Sequence, residues 1–283
     1  MTDQEFVRFL QDVLPGMGLK WAGFRNVRGT VRRRIARRLR ELGLADLDAY
    51  RDYLERTPEE WPRFHAMCRI PISRFYRDRA VFRLLGEDVL PSCAAAALKA
   101  GRGDIRCLCI GCASGEEPYS VNLVWLTSVA QQHAGLGLDI LALDADETML
   151  GRARAGHYKA SSLKEVPKEI RQTAFEQTNG EFRLRTAFRT GIRFNLCDVR
   201  EAMPSGPFDI VMCRNLVFTY FSDAVQRELF EQIDGRLTPG GFLIVGGHEH
   251  LPCDGRRYRP LRLHVPIYQK AEDPDADAPA RAD

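Results

Sequence analysis

The sequence predicts an α/β protein: an open, mostly parallel sheet with helices on both faces, preceded by a helical segment. Three observations predict it. Short apolar runs alternate with helix-like stretches from residue 105 to residue 270, the pattern of parallel strands joined by crossover helices. Residues 1–80 instead carry apolar side chains at helical spacing. The 283 residues are 45% apolar and 28% charged, an ordinary globular composition with room for one large domain or two modest ones.

Near the start, Phe6, Phe9, Leu10 and Val13 share one helix face. In the following arginine-rich stretch, Val31, Ile35 and Leu39 repeat every four residues. The other faces there carry Arg32, Arg33, Arg34, Arg37, Arg38 and Arg40. Gly43 suits the helix stop. Residues 45–48 open another helix that runs through Tyr53 and Leu54.

The sheet region begins with IRCLCIG (105–111), an apolar strand ending in glycine. EEPYSVNLVWLTSVAQQ (116–132) is helical in character, and LDILALD (138–144) is a second strand closed by an acid. ETMLGRARAG (147–156) reads as a helix ended by Gly156. EFRLRTAF and GIRFNL, within 181–196, read as a small hairpin inserted between core elements. FDIVMCRN (208–215) is a third strand, and 223–237 forms an amphipathic helix with Val225, Leu229, Ile233 and Leu237 four apart. PGGFLIVGG (239–247) is a turn and a strand, and LHVPIYQK (263–270) a final strand. The tail 271–283 is Asp, Ala and Pro with almost nothing to bury, so disorder is expected there.

Composition excludes several classes. The 41 basic and 38 acidic residues leave a net charge of only +3, too small to indicate a nucleic-acid binder. No apolar run approaches the length of a membrane-spanning helix. The first residues, MTDQEFVRFLQDVLPG, lack the basic start, apolar middle and small-residue cleavage site of a secretory signal. A cytoplasmic monomer with reduced cysteines is therefore expected. Cys107, Cys109 and Cys112 lie close in sequence, but no second pair and no His-x3-His completes a tetrahedral set, so no metal is expected.

The chemistry starts at Gly111-Cys112-Ala113-Ser114-Gly115-Glu116-Glu117. A strand runs into a loop with glycines four apart and then into a helix, so backbone can approach a ligand closely. In an open α/β sheet this edge is where ligands bind. A phosphate-binding loop would need Gly-Lys-Ser/Thr and a dinucleotide fingerprint G-x-G-x-x-G; the loop has neither. Two carboxylates at the helix start favour a cationic ligand, although acids there also stabilise a helix N-terminus by roughly 0.3–1 kcal/mol. Asp144 closes the second strand 33 residues after Gly111, where an acid can accept hydrogen bonds from both ribose hydroxyls. A ribose, an ammonium and a sulfonium without phosphates describe S-adenosylmethionine.

The chain resembles the chemoreceptor glutamate methyltransferase (CheR) family. The resemblance rests on ISRFYRD (72–78), GCASGEEPYS (111–120), LDADETMLGRARAGHY (143–158), FDIVMCRN (208–215) and LTPGGFLIVGGHE (237–249). It implies a class I, Rossmann-like methyltransferase sheet over residues 81–270. A helical N-terminal domain over 1–80 and a small inserted β subdomain over 158–196 come with it. It also implies that Glu117 holds the amine of S-adenosylmethionine and that Asp144 binds its ribose. Asp198 falls beside the adenine, where the family usually has Asn. Asn215 and Leu216, with Arg214, match the loop lining the methyl-donor site, and Gly111 and Ala113 the loop that passes the donor. Ser73 and Arg77 match contacts to donor and substrate. Arg77 and Tyr220 are the candidate catalytic residues.

A glutamate carboxylate has a pKa near 4.3 and is ionised at neutral pH. No general base is needed, and the enzyme's task is positioning; Arg77 can orient the carboxylate with a two-pronged hydrogen bond. The arginine-rich helix suits acidic receptor helices as partners. It lacks the aromatic interleaving of single-strand nucleic-acid binders.

Three departures from the family pattern cluster on the acceptor side. The run Cys213 to Phe221 is one residue longer than usual, which shifts the register of Tyr220. Ile70-Pro71-Ile72-Ser73 replaces a Thr-Asn pattern, and His248-Glu249-His250 replaces His-Ser-Glu. A small-molecule O-, S- or N-nucleophile is therefore the alternative acceptor.

Overall fold

The computed structural model describes residues 2–253 and 256–272. They form two compact units. Residues 2–71 with Thr219–Arg227 make the first, and Ile72–Phe218 with the described residues from Glu228 onward make the second.

The first unit is helical, as its apolar spacing predicts. The helix Asp3–Val13 starts at a capping box: the Glu5 N–H donates to Thr2 Oγ1 (3.2 Å) and the Thr2 N–H to Glu5 Oε2 (2.6 Å). Its Phe6, Phe9, Leu10 and Val13 are all buried. The arginine-rich helix spans Arg28–Leu42, buries Val31, Ile35 and Leu39, and ends at Gly43 with φ +68°. Asp46 caps the next helix, Leu47–Arg56, by accepting from the Ala49 N–H at 2.9 Å. Arg38 turns inward and grips buried Glu60 with two bonds of 2.8 and 2.7 Å, while the Tyr50 hydroxyl donates to the same carboxylate at 3.0 Å.

The second unit holds ten strands: β1 (Asp104–Ile110), β2 (Gly137–Asp144), β3 (His157–Lys159), β4 (Phe175–Thr178), β5 (Glu181–Leu184), β6 (Ile192–Leu196), β7 (Phe208–Cys213), β8 (Leu237–Val245), β9 (Tyr258–Pro260) and β10 (Ile267–Lys270). Seven form one sheet in the order β6-β2-β1-β7-β8-β10-β9. The first five run parallel, and β10 and β9 pair antiparallel at the far side. All six residues of β7 are buried, as expected of a central strand covered on both faces. The strand order reverses between β1 and β7. At such a switch point the connecting loops diverge and leave a crevice.

Three expectations are corrected. The helical unit ends at Pro71, not at residue 80. Residues 72–78 belong with the sheet: Phe75 packs edge-on against Tyr158 and Phe175 at 4.7 and 5.1 Å, and the Tyr76 N–H donates to Ser120 Oγ at 3.0 Å. GIRFNL is not half of an inserted hairpin, because β6 is the edge strand of the main sheet, with Asp144 opposite Leu196. The inserted sheet is instead β3-β5-β4. Its hairpin turns at Asn179 and Gly180, both with positive φ (52° and 80°), as a two-residue turn of the favoured hand requires. Finally, the 116–132 helix is α-helical only to Val124, continues as a π-helical turn over Trp125–Val129, and ends in a 3₁₀ turn.

The expectation of a disordered tail concerns residues that lie outside the described ones from 273 onward. Among the described residues no helix is long and apolar enough to cross a membrane.

Candidate methyl-donor and acceptor site

The carboxyl ends of β1, β2, β7 and β8 converge on one edge of the sheet. Cys213 lies opposite Ile110 on one side and Val245 on the other. The residues that follow these strands, Gly111, Arg214 and Gly246, therefore leave the sheet side by side.

The turn after β1 is built from backbone. The Gly111 and Cys112 N–H groups both donate to the Leu143 carbonyl at 2.8 and 2.9 Å. Gly111 sits at φ +75°, a left-handed conformation that favours glycine, and a Cβ there would press on Leu216 Cδ2 at 2.6 Å. Ala113 also has positive φ (47°). Its N–H donates to Asp144 Oδ2 at 2.8 Å, and the Asp146 N–H donates to Asp144 Oδ1 at 2.9 Å. Asp144 thus fastens the turn at the end of β2.

The two glutamates at the helix start part company. Glu116 is buried and accepts from the Ser114 hydroxyl at 3.0 Å, with Ser73 beside it. Burial raises its carboxyl above the ordinary range. Glu116 therefore anchors the loop, correcting the expectation that both acids address a ligand. Glu117 accepts from Arg214 Nη1 at 3.1 Å, with 13% of its side chain exposed. Burial raises this carboxyl too, and the Arg214 charge opposes the rise.

Arg214, with only 2% of its side chain exposed, ties three segments together. Besides Glu117, it donates to the Arg77 carbonyl at 3.0 Å and pairs with Asp78, and its guanidinium lies over the Phe82 ring. Its Nε has no hydrogen-bond partner among the described residues. Arg77 reaches across the same space. Nη2 donates to Asn215 Oδ1 at 3.2 Å and Nη1 to the Ile72 carbonyl at 3.0 Å. Asn215, at φ +56°, gives its N–H to Glu249 Oε2 at 2.8 Å.

The structure thus brings Arg77, Glu117, Asn215, Gly111 and Leu216 into one array, with Ala113 and Asp144 fixing its floor. Ser73 is held beside it through Glu116. Asp198 is engaged by Arg200, which bonds both carboxylate oxygens at 2.9 and 2.6 Å. It follows Cys197, whose N–H donates to the Asp144 carbonyl at 3.0 Å. Tyr220 is described with the other unit. It belongs to the helical unit, where its ring packs on Phe24 at 5.1 Å and its carbonyl accepts from the Lys20 N–H at 2.8 Å. The register shift from the extra residue accompanies this packing role. Sequence reasoning missed Asp78, the inward Glu116 and the contacts of Glu249.

Glu117, Asp78, Glu249 and Asp144 outnumber Arg77 and Arg214 in the array, and Arg214 is already neutralised by Glu117 and Asp78. Such a charge set fits a cationic nucleoside and opposes a pyrophosphate.

The comparisons agree with this chemistry. Residues 72–265 match the family model described as CheR methyltransferase, SAM (S-adenosylmethionine) binding domain. Residues 25–66 match the CheR methyltransferase, all-alpha domain. A chemotaxis protein methyltransferase of Listeria monocytogenes is 28% identical over 254 residues, covering 89% of this chain and 93% of its own. Chemotaxis protein methyltransferase 1 of Pseudomonas aeruginosa is 32% identical over 206 residues, 70% of this chain and 73% of its own. The Escherichia coli chemotaxis protein methyltransferase is 28% identical over 267 residues, 91% and 88% respectively. Charge, loop geometry and these matches lead to one conclusion: the chain belongs to the CheR methyltransferase family and is an S-adenosylmethionine-dependent methyltransferase.

Proposed function

We propose that the chain methylates side-chain carboxylates of glutamate in a chemoreceptor-like protein. The observation that carries this reading is the placement of Arg77. Its guanidinium is held by Asn215 and the Ile72 carbonyl, in the same array as Glu117. A guanidinium so held presents a planar donor fork matched to a carboxylate. In this reading Glu117 receives the donor's ammonium, Asp144 the ribose hydroxyls and Asp198 the adenine edge. Ser73, Gly111, Ala113, Asn215 and Leu216 line the path of the donor. When bound, S-adenosylmethionine supplies an electrophilic methyl group on a positively charged sulfur. The acceptor carboxylate is ionised at neutral pH, so no residue of the chain has to remove a proton. Arg77 fixes its direction of approach, and that positioning is the chain's contribution to rate.

The partner surface is the arginine-rich helix. Arg33, Arg37 and Arg40 lie exposed on the faces away from buried Val31, Ile35 and Leu39. A cationic face of this kind favours encounter with acidic helices. The test is transfer of labelled methyl from the donor to a receptor cytoplasmic fragment. The ester product releases volatile methanol in alkali. Alkali-stable label on a metabolite, with none on the fragment, would overturn the glutamate reading and select a small-molecule acceptor.

A further inference from the structure

We infer that Glu249 is a positioning residue that sets the direction of Arg77 through Asn215. The inference rests on Arg77 receiving the acceptor carboxylate. Glu249 follows β8, while Asn215 follows β7, its parallel neighbour. The glutamate is 5% exposed. A buried carboxylate is costly unless hydrogen bonds satisfy it, and the bonds of this one point to the site. Its Oε2 accepts from the Asn215 N–H at 2.8 Å and the Gly246 N–H at 2.5 Å. Its own N–H donates to the Gly246 carbonyl at 2.9 Å, closing the turn that delivers it.

The geometry explains what the Glu249 oxygen does. Asn215 adopts φ +56°, a left-handed conformation that asparagine tolerates better than most residues with a side chain. The bond from its N–H to Glu249 Oε2 at 2.8 Å holds the residue there. In that conformation Asn215 Oδ1 faces Arg77 Nη2 at 3.2 Å. Gly246 completes the fit. A Cβ at that position would lie 2.7 Å from Glu249 Oε2 and 2.9 Å from Asn215 Oδ1. The two side chains therefore share the space that the missing Cβ leaves. The resulting relay runs from Glu249 to the Asn215 backbone, from the Asn215 side chain to Arg77, and from Arg77 to the acceptor.

The test compares Glu249→Ala, Glu249→Gln, Arg77→Ala and the Arg77→Ala/Glu249→Ala double variant in the full chain. Three readouts are used: calorimetric affinity for S-adenosylhomocysteine, hydrogen exchange of the Asn215 amide, and steady-state transfer to a receptor fragment. Glu249→Ala is expected to keep S-adenosylhomocysteine affinity within about threefold, to strip protection from the Asn215 amide, and to lower kcat by at least about tenfold. Glu249→Gln keeps an oxygen that can accept both N–H groups, so it is expected to restore kcat to within about threefold. In the Arg77→Ala background, loss of Glu249 is expected to cost less than about twofold more, as for residues acting as one unit. Should Glu249→Ala fail to fold, Glu249→Asp, one methylene short of the two N–H groups, carries the same expectation. Equal losses of affinity and kcat, an Asn215 amide that stays protected, or additive effects of the two substitutions would each overturn the inference. A wild-type chain that labels no receptor glutamate would defeat the acceptor assignment instead, and the exchange and affinity readouts would still decide the role of Glu249.

Discussion

Replacing Arg214 with methionine probes the electrostatics of the site. Methionine has similar length but carries neither charge nor donors. The variant loses the bonds to Glu117, the Arg77 carbonyl and Asp78. Breaking a buried pair by removing one partner costs about 3–5 kcal/mol. Asp78 is nearly half exposed and adds little, and Glu117 can relieve its stranded charge by protonating. We therefore expect about 3 kcal/mol, a fall of roughly 6–12 °C in Tm for a unit of this size. The pH dependence follows from the direction of the shift. Burial already raises the folded-state pKa of Glu117, and removing Arg214 raises it further. A group with a raised folded pKa contributes stability below its unfolded pKa and loses it as pH rises through the folded value. The Tm deficit of Arg214→Met should therefore widen as pH rises above the ordinary carboxylate range. Ligand affinity should move the other way, because only ionised Glu117 attracts the donor's ammonium. Below its further-raised Glu117 pKa the variant should bind S-adenosylhomocysteine at least about tenfold more weakly, about 1.4 kcal/mol, and recover part of that loss as pH rises. Scanning calorimetry and titration calorimetry over a pH series are the assays. A deficit that narrows with rising pH, or an affinity equal to wild type throughout, would refute the reasoning.

Asp144→Ala should weaken S-adenosylhomocysteine binding by at least about tenfold, about 1.4 kcal/mol, by loosening the Ala113 N–H and removing the carboxylate we propose for the ribose; calorimetry measures it. Tyr76→Phe should raise Tm by roughly 2–4 °C, since the hydroxyl is buried, has no hydrogen-bond partner among the described residues, and burying such a group unsatisfied costs about 1 kcal/mol or more. Tyr220→Phe should leave kcat within about twofold, because the ring's packing on Phe24 is kept; a loss near the 10²–10⁴-fold range of general acid–base groups would restore the hydroxyl to the mechanism.

Local signals carried most of the fold. β1, β2 and β7 are contiguous apolar runs, and the arginine-rich helix shows its stripe at Val31, Ile35 and Leu39. β3 and β9, three residues each, are too short to show a period. β6 alternates in the same way whether it edges the main sheet or closes a hairpin, so its partner was not legible. The Asn179-Gly180 pair was the better marker of the hairpin. At the site, Gly111, Glu117, Asp144 and Asn215 could be read because strand ends place them there. The contacts of Glu249 and Asp78 could not, since each is defined by a segment far away in sequence: Asn215 lies 34 residues from Glu249, and Arg214 lies 136 from Asp78. Glu116 meets the Ser114 hydroxyl two residues before it, but its burial is set by tertiary packing that the sequence does not show.

The helical unit borrows Thr219–Arg227 from the far end of the chain, which has a practical bearing on cutting the protein up. Lys20 gives its N–H to the Tyr220 carbonyl at 2.8 Å and its ammonium to Asp223 at 2.9 Å, and the Ser222 N–H closes onto the Gly18 carbonyl at 2.8 Å. A gene fragment stopping at Pro71 would discard this strap and leave the Phe24 ring without its aromatic neighbour. Chimeras that graft a new recognition head onto this enzyme must therefore transplant both stretches together, with the second spliced into the catalytic half.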